Sequence, residues 1–373
     1  MKLIYAINDP EFFMSHRASL AYNAINSGYK VFLLSDFNRF DTSLCFDKGI
    51  QPIHVKVNRS SKSILSNIRF MLALMKIYKK HQPNIVHQIT LKFYLFGTLS
   101  AFFFKNKIKI VNAITGLGYL YTNDRKSLAK ILIYPLLRLI VKKKYVHFIF
   151  QNKVDLKLFK KMGLQENHTL IKGSGVDNKD YSFTPEPESK KITILFTGRI
   201  LKDKGVLDLI QAVKQLSPEI KKQIVLELYG KIDLENPSSI NEELLKSKLI
   251  EGLIEWKGFS KEIKTAISNS HIYCLPSYRE GLPKSTVEAM AIGRPVVTTT
   301  APGCEDTVIE EYNGFKVPVG DVEMLSEKLV LLINDKKLRH KMGKNSRAIF
   351  EKEFTLEKVV NRTFELYEKV KKT

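Results

Sequence analysis

"KITILFTGRILKDKGVLDLIQAVKQL", residues 191–216, decides the fold class. Its first part, Ile192–Thr197, is a short apolar run of the kind that forms a buried strand. Its last part, from Val206 on, has the apolar spacing of a helix that covers one side of a sheet. Between them, Gly198 and Arg199 end the strand, Lys202 and Lys204 occupy a loop, and Gly205 closes it. Strand, basic loop and helix start form one βα unit. Such a unit buries its strand only beside others of its kind.

Those others are present on both sides. Upstream, "KLIYAI", "KVFLLSDF", "NIVHQIT", "KIKIVNAIT" and "VHFIFQN" read as strands. The helical stretches "HRASLAYNAINSG", "SKSILSNIRFMLALMKIYKKH" and "LKFYLFGTLSAFFFKN" separate them. Downstream, "IVLELYG", "IEWKGF", "HIYCLPS", "PVVTTT" and "GFKVP" are strands among the helices "KEIKTAISNS" and "KSTVEAMAIG" and a long helical tail. The stretch at 172–190 is rich in Gly, Ser, Pro and charge and reads as a linker. The pattern predicts an α/β protein of two doubly wound Rossmann-like domains facing a cleft, with ligands beyond the carboxyl ends of the strands. The expected boundaries are an N-terminal acceptor-side domain at 1–178, a donor-side domain at 179–350 and a C-terminal helix, 351–373, that returns to the first domain.

With 373 residues, 44% of them hydrophobic and 26% charged, the chain has enough apolar surface for two cores. Its net charge of +22 calls for an anionic partner or a basic surface patch. Nucleic acid, an acidic membrane and a phosphorylated substrate are the candidates. The three cysteines, Cys45, Cys274 and Cys304, are scattered and offer no CxxC spacing, so neither a disulfide framework nor a zinc site is expected. A reducing cytosol fits. The start "MKLIYAINDPEF" has no signal-peptide pattern. The longest apolar run, Ile131–Val141, is shorter than the roughly 20 residues a membrane span takes and contains Pro135 and Arg138.

Two stretches carry chemistry. In residues 198–205 the basic loop before a helix N-terminus is an anion site, where backbone N–H groups and the helix dipole add to Arg199 and Lys204. A solvated basic loop is the plainer alternative. In "EGLPKSTVEA", residues 280–289, Gly281 and Pro283 break the chain and a helix starts around Pro283–Ser285. Glu280 precedes it and Glu288 lies one turn inside. Carboxylates accept hydroxyl donors, so the pair suits a polyol beside a phosphate. The alternative for Glu288 is a capping box, since "STVE" fits S-x-x-E. For Glu280 it is a surface carboxylate near a helix dipole.

Together, "GRILKDKG" followed by "EGLPKSTVEAMAIGRPVV" resembles the donor half of retaining GT-B glycosyltransferases of family 4, whose hallmark is E-x7-E. The later Gly303 in "APGCED" and the tail "NGFKVPVGDVEMLSEKL" are also similar to that family. The resemblance implies that Arg199 and Lys204 hold the donor diphosphate, that Glu280 contacts the donor sugar and that Glu288 contacts the ribose. Gly198, Gly281, Leu282, Pro283, Lys284, Ser285 and Thr286 would line the sugar and diphosphate, and Phe259 would lie beside the base. The first half resembles the branch that extends sugars on undecaprenyl diphosphate for O-antigen, capsule or protein glycans. In it, Ser15-His16-Arg17 stands where many members carry a Gly-Gly turn, and "AITGLGYLYT" follows a strand. Ser15, His16, Arg17, Lys92, Thr115, Gly116 and Gly118 are the acceptor-side candidates. His16 and His87 are further polar candidates, each with a structural alternative.

Between Ala101 and Phe148 ten basic residues, Lys105, Lys107, Lys109, Arg125, Lys126, Lys130, Arg138, Lys142, Lys143 and Lys144, are interleaved with apolar ones, with Asp124 the only acid. That composition suits a surface resting on anionic lipid. No nucleic-acid motif accompanies the charge. The expectation is transfer of a hexose or N-acetylhexosamine, GalNAc or GlcNAc, from a UDP-sugar to an undecaprenyl-diphosphate saccharide, with retention, at the cytoplasmic face of a bacterial inner membrane. Without a D-x-D motif, no metal or other cofactor is expected. A sugar-nucleotide epimerase, a soluble-acceptor transferase and a basic membrane- or nucleic-acid-binding protein are the alternatives.

Overall fold

The computed structural model describes residues 1–38, 40–57, 63–104, 107–116, 128–234 and 236–372, with only the backbone described for 128–132. Gly118, Lys105, Arg125, Lys126 and Asp124 therefore lie outside the described residues, as does the side chain of Lys130. The chain divides into two compact units, Met1–Ser174 with Val359–Thr373, and Gly175–Lys358.

The first unit is built on β1 (Lys2–Ala6), β2 (Lys30–Ser35), β3 (Gln51–His54), β4 (Ile85–Gln88), β5 (Lys109–Ile114), β6 (Val146–Phe150) and β7 (His168–Leu170). All pairs are parallel and the order is β3-β2-β1-β4-β5-β6-β7. The central strands β4 and β6 are buried at every residue, as a sheet with both faces covered requires. The edge strands β3 and β7 were not anticipated. They are short and only partly buried, so their residues carry little apolar signal. Helix Ile64–His81 has an αL residue, Gln82, at its end, and Phe70, Leu74 and Tyr78 pack it on the sheet.

The second unit contains β8 (Ile192–Thr197), β9 (Ile224–Tyr229), β10 (Ile254–Gly258), β11 (Ile272–Leu275), β12 (Val296–Thr299) and β13 (Gly314–Val317), again all parallel, in the order β10-β9-β8-β11-β12-β13. Chain order reverses between β1 and β4 in one sheet and between β8 and β11 in the other. Those are the switch points where loops diverge and leave room for ligands. The expected long helix after Asp321 is two, Val322–Asn334 and Lys336–Glu353. Asp335 breaks it by capping Leu338 N–H at 2.8 Å.

The unit boundaries lie a few residues from the expected ones. Val176 N–H donates to Phe354 O at 3.1 Å and Leu356 N–H to Val176 O at 2.8 Å, which keeps residues 175–178 and the end of helix Lys336–Glu353 in the second unit. From Val359 on, the last helix belongs to the first unit, where the Tyr367 hydroxyl meets His87 Nδ1 at 2.6 Å and Tyr5 Oη at 3.3 Å. Arg294 is buried and donates to the carbonyls of Ile267, Ser268, Thr184 and Pro185 at 2.9–3.1 Å, pinning the linker beneath the helix that carries Glu288. Among the described residues, no helix is long and apolar enough to cross a membrane.

Candidate active site

In the second unit the candidate residues converge at the carboxyl ends of β8 and β11. After β8, residues Lys202–Lys204 form one 3₁₀ turn and Gly205 turns the chain at φ +67° into helix Val206–Gln215. A Cβ at Gly205 would lie 2.0 Å from Pro276 O, so glycine is what lets this loop lie against the end of β11. On the other side, Gly303 (φ +80°) packs against the carbonyls of Glu280 and Gly281, 2.5 Å from where its Cβ would be. Glu280 N–H donates to Pro302 O at 2.9 Å. The Glu280 loop is therefore held from both flanks.

These contacts bring Lys204 and Glu280 together. Their side chains form a mostly buried ion pair, and Ser277 Oγ donates to the same carboxylate oxygen at 2.8 Å. Ser277 itself rests on Asp203 O at 2.9 Å. The negative charge of Glu280 reaches the buried Cys304 thiol. Burial first, and that carboxylate second, push the thiol up to about 12, so it is a neutral packing group.

Helix Lys284–Ile292 begins at Pro283, whose extended backbone serves as N-cap without any side-chain bond. The capping-box alternative for Glu288 is not what forms. Glu288 instead pairs with Lys284 at 3.3 Å, one turn earlier. Each carboxylate of the E-x7-E spacing thus has its own lysine. Tyr181 lies beside Glu288, and burial together with that charge holds its phenol well above its usual range. Ser285 is engaged elsewhere: the buried Tyr273 hydroxyl donates to its Oγ at 2.7 Å and lies 3.1 Å from Thr197 Oγ1. This chain of hydroxyls ties the helix start to the end of β8. Thr286 is fully buried and its Oγ1 has no partner. Leu282 is buried beneath the loop, and Gly281 completes it.

Two candidates stand further out. Arg199 is 54% exposed and pairs with Asp233 at 2.7 Å, while the neighbouring Gly198 N–H is fixed on Tyr229 O at 2.9 Å. An exposed pair of this kind contributes little, about 0–1 kcal/mol, and is readily exchanged for another anion. Phe259 follows Gly258 at the end of β10, is 60% exposed and has Lys231 Nζ 4.4 Å from its ring centroid. Tyr181, Lys231, Asp233, Tyr273 and Ser277 escaped sequence reasoning, because each is placed by a contact distant in the chain.

In the first unit the candidates do not form one cluster of like exposure. Ser15 is exposed and His16 stacks on Phe12 at 4.0 Å, with Ser15 Oγ 2.7 Å from His16 Nδ1. Arg17 is buried. Burial lowers the Lys92 pKa at the start of the next helical segment. Thr115 Oγ1 lies 3.4 Å from Ile89 O, and the Tyr94 hydroxyl donates to Ile89 O and Ala113 O at 2.5 Å. Thr90 Oγ1 donates to Asn8 Oδ1 at 2.8 Å. These groups and Gly116 stand at the carboxyl ends of β1, β4 and β5. His87 is not among them as a site residue. It is fully buried, and burial, then the charge of Arg17, push it down to about 3, so it is a neutral partner for Tyr367.

Comparison with known proteins places this geometry. Residues 177–349 match the family described as Glycosyl transferases group 1, and residues 2–152 match Glycosyl transferase 4-like. A Campylobacter jejuni protein named N,N'-diacetylbacillosaminyl-diphospho-undecaprenol alpha-1,3-N-acetylgalactosaminyltransferase is 28% identical over 340 residues, 87% of each chain. The Escherichia coli UDP-Gal:alpha-D-GlcNAc-diphosphoundecaprenol alpha-1,3-galactosyltransferase is 24% identical over 336 residues, 86% of this chain and 84% of its own. Among solved structures, Anabaena HepE in complex with UDP superposes with a TM-score of 0.79 at 17% identity, covering 99% of this chain and 100% of its own. That likeness fixes the fold as GT-B. The chain thus carries a glycosyl transferase 4-like domain followed by a glycosyl transferases group 1 domain and is a glycosyltransferase.

Proposed function

We propose that this glycosyltransferase moves a hexose or N-acetylhexosamine, GalNAc or GlcNAc, from a UDP-sugar to a saccharide carried on undecaprenyl diphosphate, with retention at the anomeric carbon. The observation that carries the reading is the Lys204–Glu280 pair at the head of helix Lys284–Ile292. It sets a cation, a carboxylate and a helix N-terminus within one loop system. The names of the Campylobacter and Escherichia relatives support the donor and acceptor classes, and the UDP complex of HepE supports the nucleotide.

In this mechanism the donor diphosphate takes Lys204 from Glu280 and Arg199 from Asp233. Charge that grows on the leaving UDP is then met by two cations and the helix dipole. Glu280, released from its lysine, accepts hydroxyl hydrogens of the sugar, and Glu288 accepts those of the ribose. The acceptor hydroxyl attacks the anomeric carbon as the bond to UDP breaks, and its proton passes to the departing phosphate oxygen. No metal has a part in this scheme.

The acceptor's lipid stays in a bilayer, so the reading places the enzyme peripherally at the cytoplasmic face of a bacterial inner membrane, on anionic lipid. The first unit has a suitable surface. Along helix Ile64–His81 the exposed residues Ile64, Ile68, Leu72 and Lys76 recur every four positions, and Lys79 and Lys80 follow. Phe102 and Phe103 of the same unit are also exposed, with Lys143 Nζ 5.1 Å from the Phe102 ring. Apolar side chains flanked by lysines suit an interface of acyl chains and anionic headgroups.

The test is UDP release from a panel of UDP-sugars, with and without a polyprenyl-diphosphate saccharide, with EDTA present. One UDP-sugar turned over only with the lipid acceptor and undiminished by EDTA is the expected result. Turnover without lipid would replace the acceptor, and activity abolished by EDTA would replace the metal-free scheme.

A further inference from the structure

Arg17 is 6% exposed, between helices Pro10–His16 and Ala18–Asn26. Its backbone is fixed: its N–H donates to Phe13 O at 2.7 Å, and its carbonyl accepts from Leu20 and Ala21 at 3.0 and 3.2 Å. Its guanidinium makes no hydrogen bond or ion pair with a described residue, and Nε is wholly buried without an acceptor. The titratable groups facing it are Tyr5 on β1, His87 on β4, Tyr94 on the following helical segment and Tyr367 on the last helix. None is an anion near neutral pH, because burial keeps all three phenols protonated and the imidazole neutral.

A buried cation without a counter-charge is strongly unfavourable, and folded proteins pair such charges. The other buried arginines among the described residues obey that rule. Arg294 donates to four carbonyls, and Arg339 donates to Glu186 and to the carbonyls of Leu332 and Ile333. Arg17 is the exception, and it stands as N-cap of helix Ala18–Asn26, which has no side-chain cap. The positive end of that helix adds to the same unmet charge.

We propose that Arg17 anchors an anion site in the first unit, and that its ligand is the diphosphate of the lipid-linked acceptor. This rests on the acceptor reading above. A diphosphate diester carries two negative charges and oxygens spaced for a guanidinium fork. The neutral saccharide brings no such charge. Arg17 then acts as a binding residue for the acceptor, and the free protein carries the cost of its unmatched charge until that acceptor arrives.

Thermal denaturation with the nucleotide site saturated by UDP tests this. The probes are inorganic pyrophosphate and a short polyprenyl diphosphate, and the proteins are wild type, Arg17→Met and Arg17→Lys. The expected result is that both probes raise the wild-type Tm, that neither raises that of Arg17→Met, and that Arg17→Lys responds weakly. Without a probe, Arg17→Met melts no lower than wild type, since replacing an unpaired buried charge by an apolar side chain removes a penalty. In turnover with a polyprenyl-diphosphate saccharide, Arg17→Met raises the acceptor KM at least about tenfold, the scale of one charged hydrogen bond. Equal shifts in wild type and Arg17→Met, no shift in either, or a marked fall in the Tm of Arg17→Met would overturn the site. A shift by pyrophosphate alone overturns the lipid assignment. If no lipid diphosphate is ever glycosylated yet the Arg17-dependent shift persists, the acceptor reading fails and the anion site stands.

Discussion

At the scale of single residues, the decisive feature is that Lys204 and Glu280 neutralise each other while no donor is bound. Lys204→Met is therefore expected to lower kcat/KM for the UDP-sugar about a hundredfold or more, the usual loss when one donor to a developing anion is removed. UDP-release kinetics check this. If the rate is unchanged, Lys204 serves only to hold the loop. Gly303→Ala meets two carbonyls at 2.5 Å in a left-handed backbone, and a destabilisation of about 1–3 kcal/mol is expected in urea unfolding of the second unit. An unshifted midpoint would show that the Glu280 loop yields easily. The spacing of Glu280 and Glu288 was readable in the sequence because seven intervening residues fix it. That each carboxylate owns a lysine was not, because Lys204 comes from another strand's loop and its partner is set by where Gly205 lets that loop lie.

At the scale of elements, helix Lys284–Ile292 was legible from Pro283 and Gly293 at its ends. Of the edge strands, β10 and β13 were legible, while β3 and β7, which have no fully buried residue, were not. The last helix was expected to return to the first domain, but its anchor, Tyr367 on His87, joins positions 280 residues apart. That anchor has a pH signature. His87 is held neutral down to about 3, below the ordinary value of 6.5, so its contribution to stability is complete above about pH 6.5 and declines as pH falls toward 3. The loss approaches about 1.4 kcal/mol per pH unit in that window. His87→Gln is expected to flatten the fall of Tm between about pH 7 and pH 5, and parallel curves for the two proteins would refute it. For helix Ile64–His81, the double substitution Ile68→Asp with Leu72→Asp withdraws two exposed apolar side chains, each worth about 1.5–3 kcal/mol when buried. Binding to anionic vesicles should fall at least about tenfold in sedimentation. Undiminished binding would move the membrane surface elsewhere.

For the whole molecule, two parallel sheets were predictable from the alternation of strand and helix alone, because a parallel pair requires a crossover. The point at which the chain changes units was not, since it depends on Val176 pairing with the far end of helix Lys336–Glu353. The second unit carries the only tryptophan, Trp256, whose Nε1 donates to Gly230 O at 3.0 Å. Its fluorescence thus reports unfolding of the second unit. UDP at a hundred times its Kd should stabilise that transition by about 2.7 kcal/mol. A nucleotide that left the tryptophan signal unmoved would show that it binds outside this unit.

The return of the last helix also sets a timetable. Translation begins the first unit and finishes it last: Tyr5 and His87 leave the ribosome uncovered, and Tyr367 follows only after the entire second unit. While the whole second unit is being made, the first unit keeps an open sheet face, which is a surface for chaperones. A chain cut short just before Val359 would keep the whole second unit, and with it nucleotide uptake, yet be marked for proteolysis.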